Sequence, residues 1–220
     1  DPSRCSEGTD MFEYGCRRQD GLMCREGFYN PDMLLSVPDK CVSPVSKKMP
    51  VSIGARLIFS DPYACVLFLK ERVEDLAMGH NYRLYLGKGV KREKAFDIAK
   101  ERIFEKTAVF GCGTIGLLAC AVLSKAAGSK KNRIVAIGKN HPDSNVVKFI
   151  KKNTNVEYLF AEGGKSEQAK ALEKALGGKA TLFIGASGSP VEHRIAFECG
   201  ALGNNAIYSS FSIGPSITIN

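Results

Sequence analysis

The chain has 220 residues, of which 44% are apolar and 25% charged, and a formal net charge of +8. That length fits one large domain or two small ones, and such ordinary usage excludes disorder, collagen or coiled coil as the main architecture. The excess charge does not read as nucleic-acid binding: Lys47-Lys48, Lys91-Arg92, Lys130-Lys131 and Lys151-Lys152 stand apart, without the clustering and interleaved aromatics of a basic groove.

No apolar run reaches the roughly 18 residues that a membrane-spanning helix needs, so no membrane partner is expected. The opening Asp1-Pro-Ser-Arg has neither a basic stretch nor an apolar run behind it, so no signal peptide is expected there. The eight cysteines include no CxxC pair, which predicts free thiols in a reducing, cytoplasmic setting. Cys112 and Cys120 read as small buried residues of an apolar helical stretch. Cys5, Cys16, Cys24 and Cys41 are too loosely spaced for a structural zinc signature.

In chain order, residues 1–50 are rich in Asp, Gly, Pro and Arg, the texture of loops and short strands. After Pro62, Cys65, Val66, Leu69, Val73 and Leu76 recur at helical spacing, with Glu71, Glu74 and Asp75 opposite. Asp61 is expected to cap this helix, Pro62 to open it and Gly79 to end it. Residues 80–104 read as a basic connector. Strands are then expected at 107–110, 133–137, 156–160, 180–185 and 206–211, alternating with helices at 117–127, 144–153, 166–176 and 191–199. Such alternation implies right-handed parallel crossovers, hence an α/β doubly wound sheet with helices on both faces.

The most informative segment is Gly111-Cys112-Gly113-Thr114-Ile115-Gly116, set between a predicted strand and a predicted helix. In that context the first glycine makes the tight turn, the second lets backbone approach a pyrophosphate, and the third lets helix and strand pack closely. The helix start then offers unpaired N–H groups to the phosphates. A site for NAD wants Asp or Glu at the end of the next strand, to hold the ribose hydroxyls. Here Gly138, Lys139, Asn140 and His141 follow Ile137 instead, and Asp143 comes only after Pro142. A cation with further donors suits the 2′-phosphate of NADP. NADP is therefore the expected cofactor, with NAD as the alternative.

These residues resemble the medium-chain, zinc-dependent alcohol and polyol dehydrogenases. The likeness rests on residues 106–128 and on Ala186-Ser187-Gly188-Ser189-Pro190. Asp1-Pro-Ser-Arg-Cys5, Phe12-Glu-Tyr-Gly15 and Asp20-Gly-Leu-Met23 narrow it to glucose dehydrogenases of the archaeal type. The resemblance implies a Rossmann domain over 101–220, preceded over 1–100 by a linker and part of a GroES-like, mainly β substrate domain. It also implies that the chain is incomplete at both ends. The activity implied is hydride transfer between a sugar or polyol hydroxyl and nicotinamide, zinc-assisted in the complete protein, in a homo-oligomer. Ala186 and Ser187 would sit beside the cofactor. Asp61 falls where the family carries an acid or amide that approaches the catalytic zinc, Glu13 falls near the active site, and Cys5 matches the last structural-zinc cysteine. The resemblance places the catalytic-zinc cysteine and a His-Glu pair ahead of Asp1, and His80, His141 and His193 are not placed to replace them. The alternative is a non-catalytic NADP-binding module or a degenerate dehydrogenase homologue.

Overall fold

A computed structural model describes residues 59–127 and 132–211. It begins with two helices, α1 (Ser60–Gly87) and α2 (Arg92–Glu101). Then follow β1 (Lys106–Phe110), α3 (Thr114–Ala126), β2 (Arg133–Gly138), α4 (Asn145–Asn153), β3 (Glu157–Phe160) and α5 (Lys165–Leu176). The last elements are β4 (Ala180–Gly185), α6 (Pro190–His193), a π-helical turn (Arg194–Glu198) and β5 (Leu202–Ser210).

All five strands are parallel, in the order β3-β2-β1-β4-β5. The chain therefore builds outward from β1 to β3, returns, and builds the other way through β4 to β5. This arrangement is compatible with a Rossmann-like fold. Strand pleating divides the core between two faces. Val109, Ala136, Leu182 and Ile184 face Ala119, Cys120 and Leu123 of α3, Ile150 of α4, and Val66, Leu69 and Val73 of α1. Ala108, Phe110, Val135, Ile137 and Phe183 face Ala169, Leu172 and Leu176 of α5 and Ile195 and Ala196 of the π turn. Burying an aliphatic side chain of this kind contributes roughly 1.5–3 kcal/mol relative to leaving it in water.

Three local expectations are corrected. The first helix does not end at Gly79. It runs through the expected connector to Gly87, and a second helix occupies 92–101. The stripe Val66, Leu69, Val73, Ala77 and Tyr85 stays buried along its length, so tertiary packing outweighs the helix-breaking tendency of one glycine. The chain turns only at Gly89, with φ +77°, where Val90 N–H donates to Tyr85 O at 3.1 Å. Asp61 is not the cap: the helix starts two residues earlier than expected, behind Phe59, and Asp61 is an exposed acid of its first turn. Finally, Cys112 lies in the glycine turn rather than in a helix, although it is buried as expected, as is Cys120 within α3. The mainly β region expected ahead of the sheet falls on residues outside those described up to residue 58, and the described residues from there to 101 are largely helical.

Candidate functional site

Four connections leave the carboxyl ends of β1, β2, β3 and β4 and enclose a crevice of about 700 Å³. Its lining comes from Phe110–Gly113, from Gly138 and Lys139, from Ala161, Gly163, Gly164, Lys165 and Gln168, and from Ala186, Ser187, Ser189 and Val191. It sits where the strand order reverses, between β1 and β4, the place at which doubly wound sheets bind ligands.

The glycine turn is shaped by its neighbours on one side and open on the other. Gly111 has φ +102°, and a Cβ there would lie 2.7 Å from Ser187 N and 2.8 Å from the carbonyl carbon of Ala186. Gly116 is equally constrained, since a Cβ would collide with the carbonyl oxygen of Gly111. Gly113 differs: among the described residues a Cβ there would meet nothing within 4 Å. It is the N-cap of α3, whose first turn has no side-chain cap, and its carbonyl accepts from Leu117 N–H at 2.9 Å. The N–H groups of Thr114, Ile115 and Gly116 thus precede the first intrahelical bond and carry the positive end of the helix dipole. Within the turn, burial pushes the Cys112 thiol up to about 11, so it stays neutral at neutral pH.

The end of β2 is held by β3 and the residue that follows it. Gly138 O accepts from Ala161 N–H at 2.8 Å, and the Tyr158 hydroxyl lies 2.9 Å from Gly138 O and 2.7 Å from Asn140 O. A side chain at Gly138 would come within 3.0 Å of Cys112 Sγ. The exposed Lys139 projects from this braced segment into the lining of the crevice. Among the described residues no carboxylate lines the crevice at the strand tip. Asp143 is solvent-exposed, its carboxylate 3.6 Å from His141 Nδ1.

The β4 loop is tied to a buried acid. Glu192, fully buried, accepts from Ser187 N–H at 3.0 Å, from Ser187 Oγ at 2.6 Å and from Ser210 Oγ at 3.2 Å. Ser187 Oγ in turn accepts from Ser189 N–H at 3.1 Å. Three donors converging on one carboxylate give a rigid loop, and it is this loop that packs on Gly111. Glu192 also explains Gly185, where a Cβ would lie 2.5 Å from its Oε1. Burial, and then the nearby Glu192 carboxyl, pushes the Tyr208 phenol up to about 12.

Of the residues singled out from sequence, Gly111, Gly113, Gly138, Lys139, Ala186 and Ser187 line the crevice together. Thr114, Ile115 and Gly116 form the start of α3 just behind that lining. Asn140 contributes its carbonyl to the Tyr158 contact, and His141 turns toward Asp143 and, edge-on at 6.4 Å, toward Phe160. Sequence reasoning missed the β3–α5 connection and Lys165 at the start of α5, a second cation on the crevice. Gly163-Gly164-Lys165 carried the signal, because a parallel sheet brings the end of every strand to one edge. It also missed Glu192, which lies within the helix expected over 191–199 and is fully buried.

Glu13 and Cys5 lie outside the described residues. Among the described residues no three His, Cys, Asp or Glu side chains gather as a metal site, and Asp61 stands exposed without such company. No helix among the described residues is long and apolar enough to cross a membrane. Comparison of the chain with protein-family models, curated proteins and solved structures finds no match.

Proposed function

We propose that the chain binds NADP in the crevice and serves hydride transfer to and from a sugar or polyol hydroxyl. The observation that carries the cofactor half is the contrast among the three glycines. The fold itself demands Gly111 and Gly116, whereas the space beside Gly113 is claimed by no atom of the described residues. A pyrophosphate at the start of α3 would occupy that space and accept from the N–H groups of Thr114, Ile115 and Gly116. Lys139 and Lys165 supply positive charge along the same lining, and the absence of an acid at the β2 tip favours a 2′-phosphate over a bare ribose. Ser187, locked by Glu192, borders the other end of the crevice, where it can hold the nicotinamide half in one orientation.

When bound, NADP supplies a hydride acceptor at nicotinamide C4. The protein's share of that chemistry is to hold the ring and limit its motion, which lowers the barrier by fixing the reacting geometry. The choice of a sugar or polyol hydroxyl is supported by the resemblance of residues 106–128 and 186–190 to medium-chain dehydrogenases. The residues described do not assemble a zinc site.

Fluorescence titration with NADPH and NADH tests the cofactor reading. NADPH is expected to bind the more tightly, and Lys139→Asp to move the preference toward NADH by about 1–3 kcal/mol, the scale of one charge-assisted hydrogen bond. Equal affinities in the parent protein would mean that Lys139 faces only solvent. Turnover assays with sugars and polyols separate the enzyme from a non-catalytic binding module: tight NADPH binding with no oxidation of any of them favours the module.

A further inference from the structure

We propose that Tyr158 is a positioning residue for cofactor choice: its hydroxyl ties together the backbone on either side of Lys139 and so keeps that lysine directed at a 2′-phosphate. The inference rests on the NADP reading above.

Lysine is a poor discriminator when left to itself. Its ammonium sits on four methylenes and samples many rotamers, so its contribution depends on how firmly the backbone aims it. At Lys139 the aiming device is visible. The Tyr158 hydroxyl has one proton and faces two carbonyls, Gly138 O at 2.9 Å and Asn140 O at 2.7 Å. Fixing both carbonyls to one donor restrains the backbone dihedrals of Lys139 and Asn140, which lie between them. Ala161 N–H holds Gly138 O from the neighbouring strand end, which leaves the Asn140 side of the segment dependent on the phenol.

The donor is also dependable. Burial, and then the adjacent Cys112 thiol, pushes the Tyr158 phenol up to about 12, so its proton remains in place throughout the range in which an enzyme works. The same ring closes over Gly138, where a Cβ would come within 3.4 Å of the hydroxyl and 3.0 Å of Cys112 Sγ. The glycine turn, the end of β2 and the edge strand β3 therefore meet at one phenol. A residue needed only to fill space on β3 would not have to present an oxygen to two carbonyls at hydrogen-bonding distance.

Tyr158→Phe removes the hydroxyl and keeps the ring. NADPH and NADH affinities would be measured for the parent protein, Tyr158→Phe, Lys139→Ala and the double variant, with thermal unfolding alongside. Tyr158→Phe is expected to reduce the NADPH-over-NADH preference by about fivefold, the factor of one neutral hydrogen bond, with NADH affinity nearly unchanged. In the Lys139→Ala background the same change should leave the ratio where it is, because the two residues act through one another. An unchanged ratio, or an equal loss for both cofactors, would overturn the proposal and leave Tyr158 a packing residue. A parent protein that does not prefer NADPH overturns the NADP reading instead, and the parent titration tells the two failures apart. If Tyr158→Phe does not fold, Tyr158→Met also lacks the hydroxyl, packs more pliably and carries the same test.

Discussion

Gly113 and Gly116 are three residues apart and their substitution should fail in opposite ways. Gly116→Ala places a methyl group against the carbonyl oxygen of Gly111. It should destabilise the fold by about 1–3 kcal/mol, the usual cost of overpacking. Gly113→Ala meets no atom of the described residues and costs under about 1 kcal/mol, chiefly through a poorer N-cap. It should nonetheless weaken NADPH binding by at least about tenfold, since the methyl group would stand where backbone must approach a pyrophosphate. Chemical denaturation beside cofactor titration separates the two effects, and a Gly113→Ala protein that binds NADPH normally would remove the pyrophosphate from this turn. Cys112 offers a further test. Burial raises its thiol from 9.0 to about 11, so the folded state holds this proton more firmly than the unfolded chain. The corresponding stability is complete below about pH 9 and is lost as the pH rises through about 11, on the order of 3 kcal/mol in all. Urea unfolding at pH 8 and pH 11 should show a smaller loss in Cys112→Ala than in the parent; an equal loss would exclude the thiol as its source.

At the scale of elements, α1 is the clearest case of packing overriding a local signal. Gly79 lies in the helix interior, and a Cβ there would meet nothing within 4 Å. Gly79→Ala should therefore stabilise the protein by about 0.5–1 kcal/mol, by removing backbone freedom from the unfolded chain. A fall in thermal midpoint would mean that the helix is broken at that position in solution. The regular elements were legible because each has a strong local pattern: β1 and β4 are short apolar runs, and α5 ends at Gly177 with φ +67° in the left-handed region. What escaped the sequence depends on contacts distant along the chain. The continuation of α1 past Gly79 is decided by what Ala77 and Tyr85 bury against. β5 starts at Leu202, earlier than expected, because its pairing with β4 shifts between Ala180 and Leu182. Gly203-Asn204-Asn205 lies inside the observed strand, where Asn205 has φ +61°, so the strand is irregular at its start. The helix expected over 191–199 widens into a π turn, where Cys199 N–H reaches Arg194 O at 2.9 Å, a change of hydrogen-bond register that no residue type announces.

For the whole molecule, the strand order decides where chemistry can occur. Reversal between β1 and β4 opens the crevice and gathers Gly113, Lys139, Lys165 and Ser187 from four connections. Half of that site was legible: a glycine turn between strand and helix carries its own geometry, and Lys139 is found by counting one strand onward. Tyr158 and Glu192 were not, because their roles come from oxygen atoms meeting partners 18 and 5 residues away. Hydrogen exchange of the backbone amides with and without NADPH addresses the location of binding most directly. Occupancy of the crevice predicts slowed exchange over residues 111–117, 138–141, 161–165 and 186–189, at one edge of the sheet. Protection confined instead to the smaller pocket formed by His80, Asn81, Arg102 and Asn204, or no protection at saturating NADPH, would contradict it.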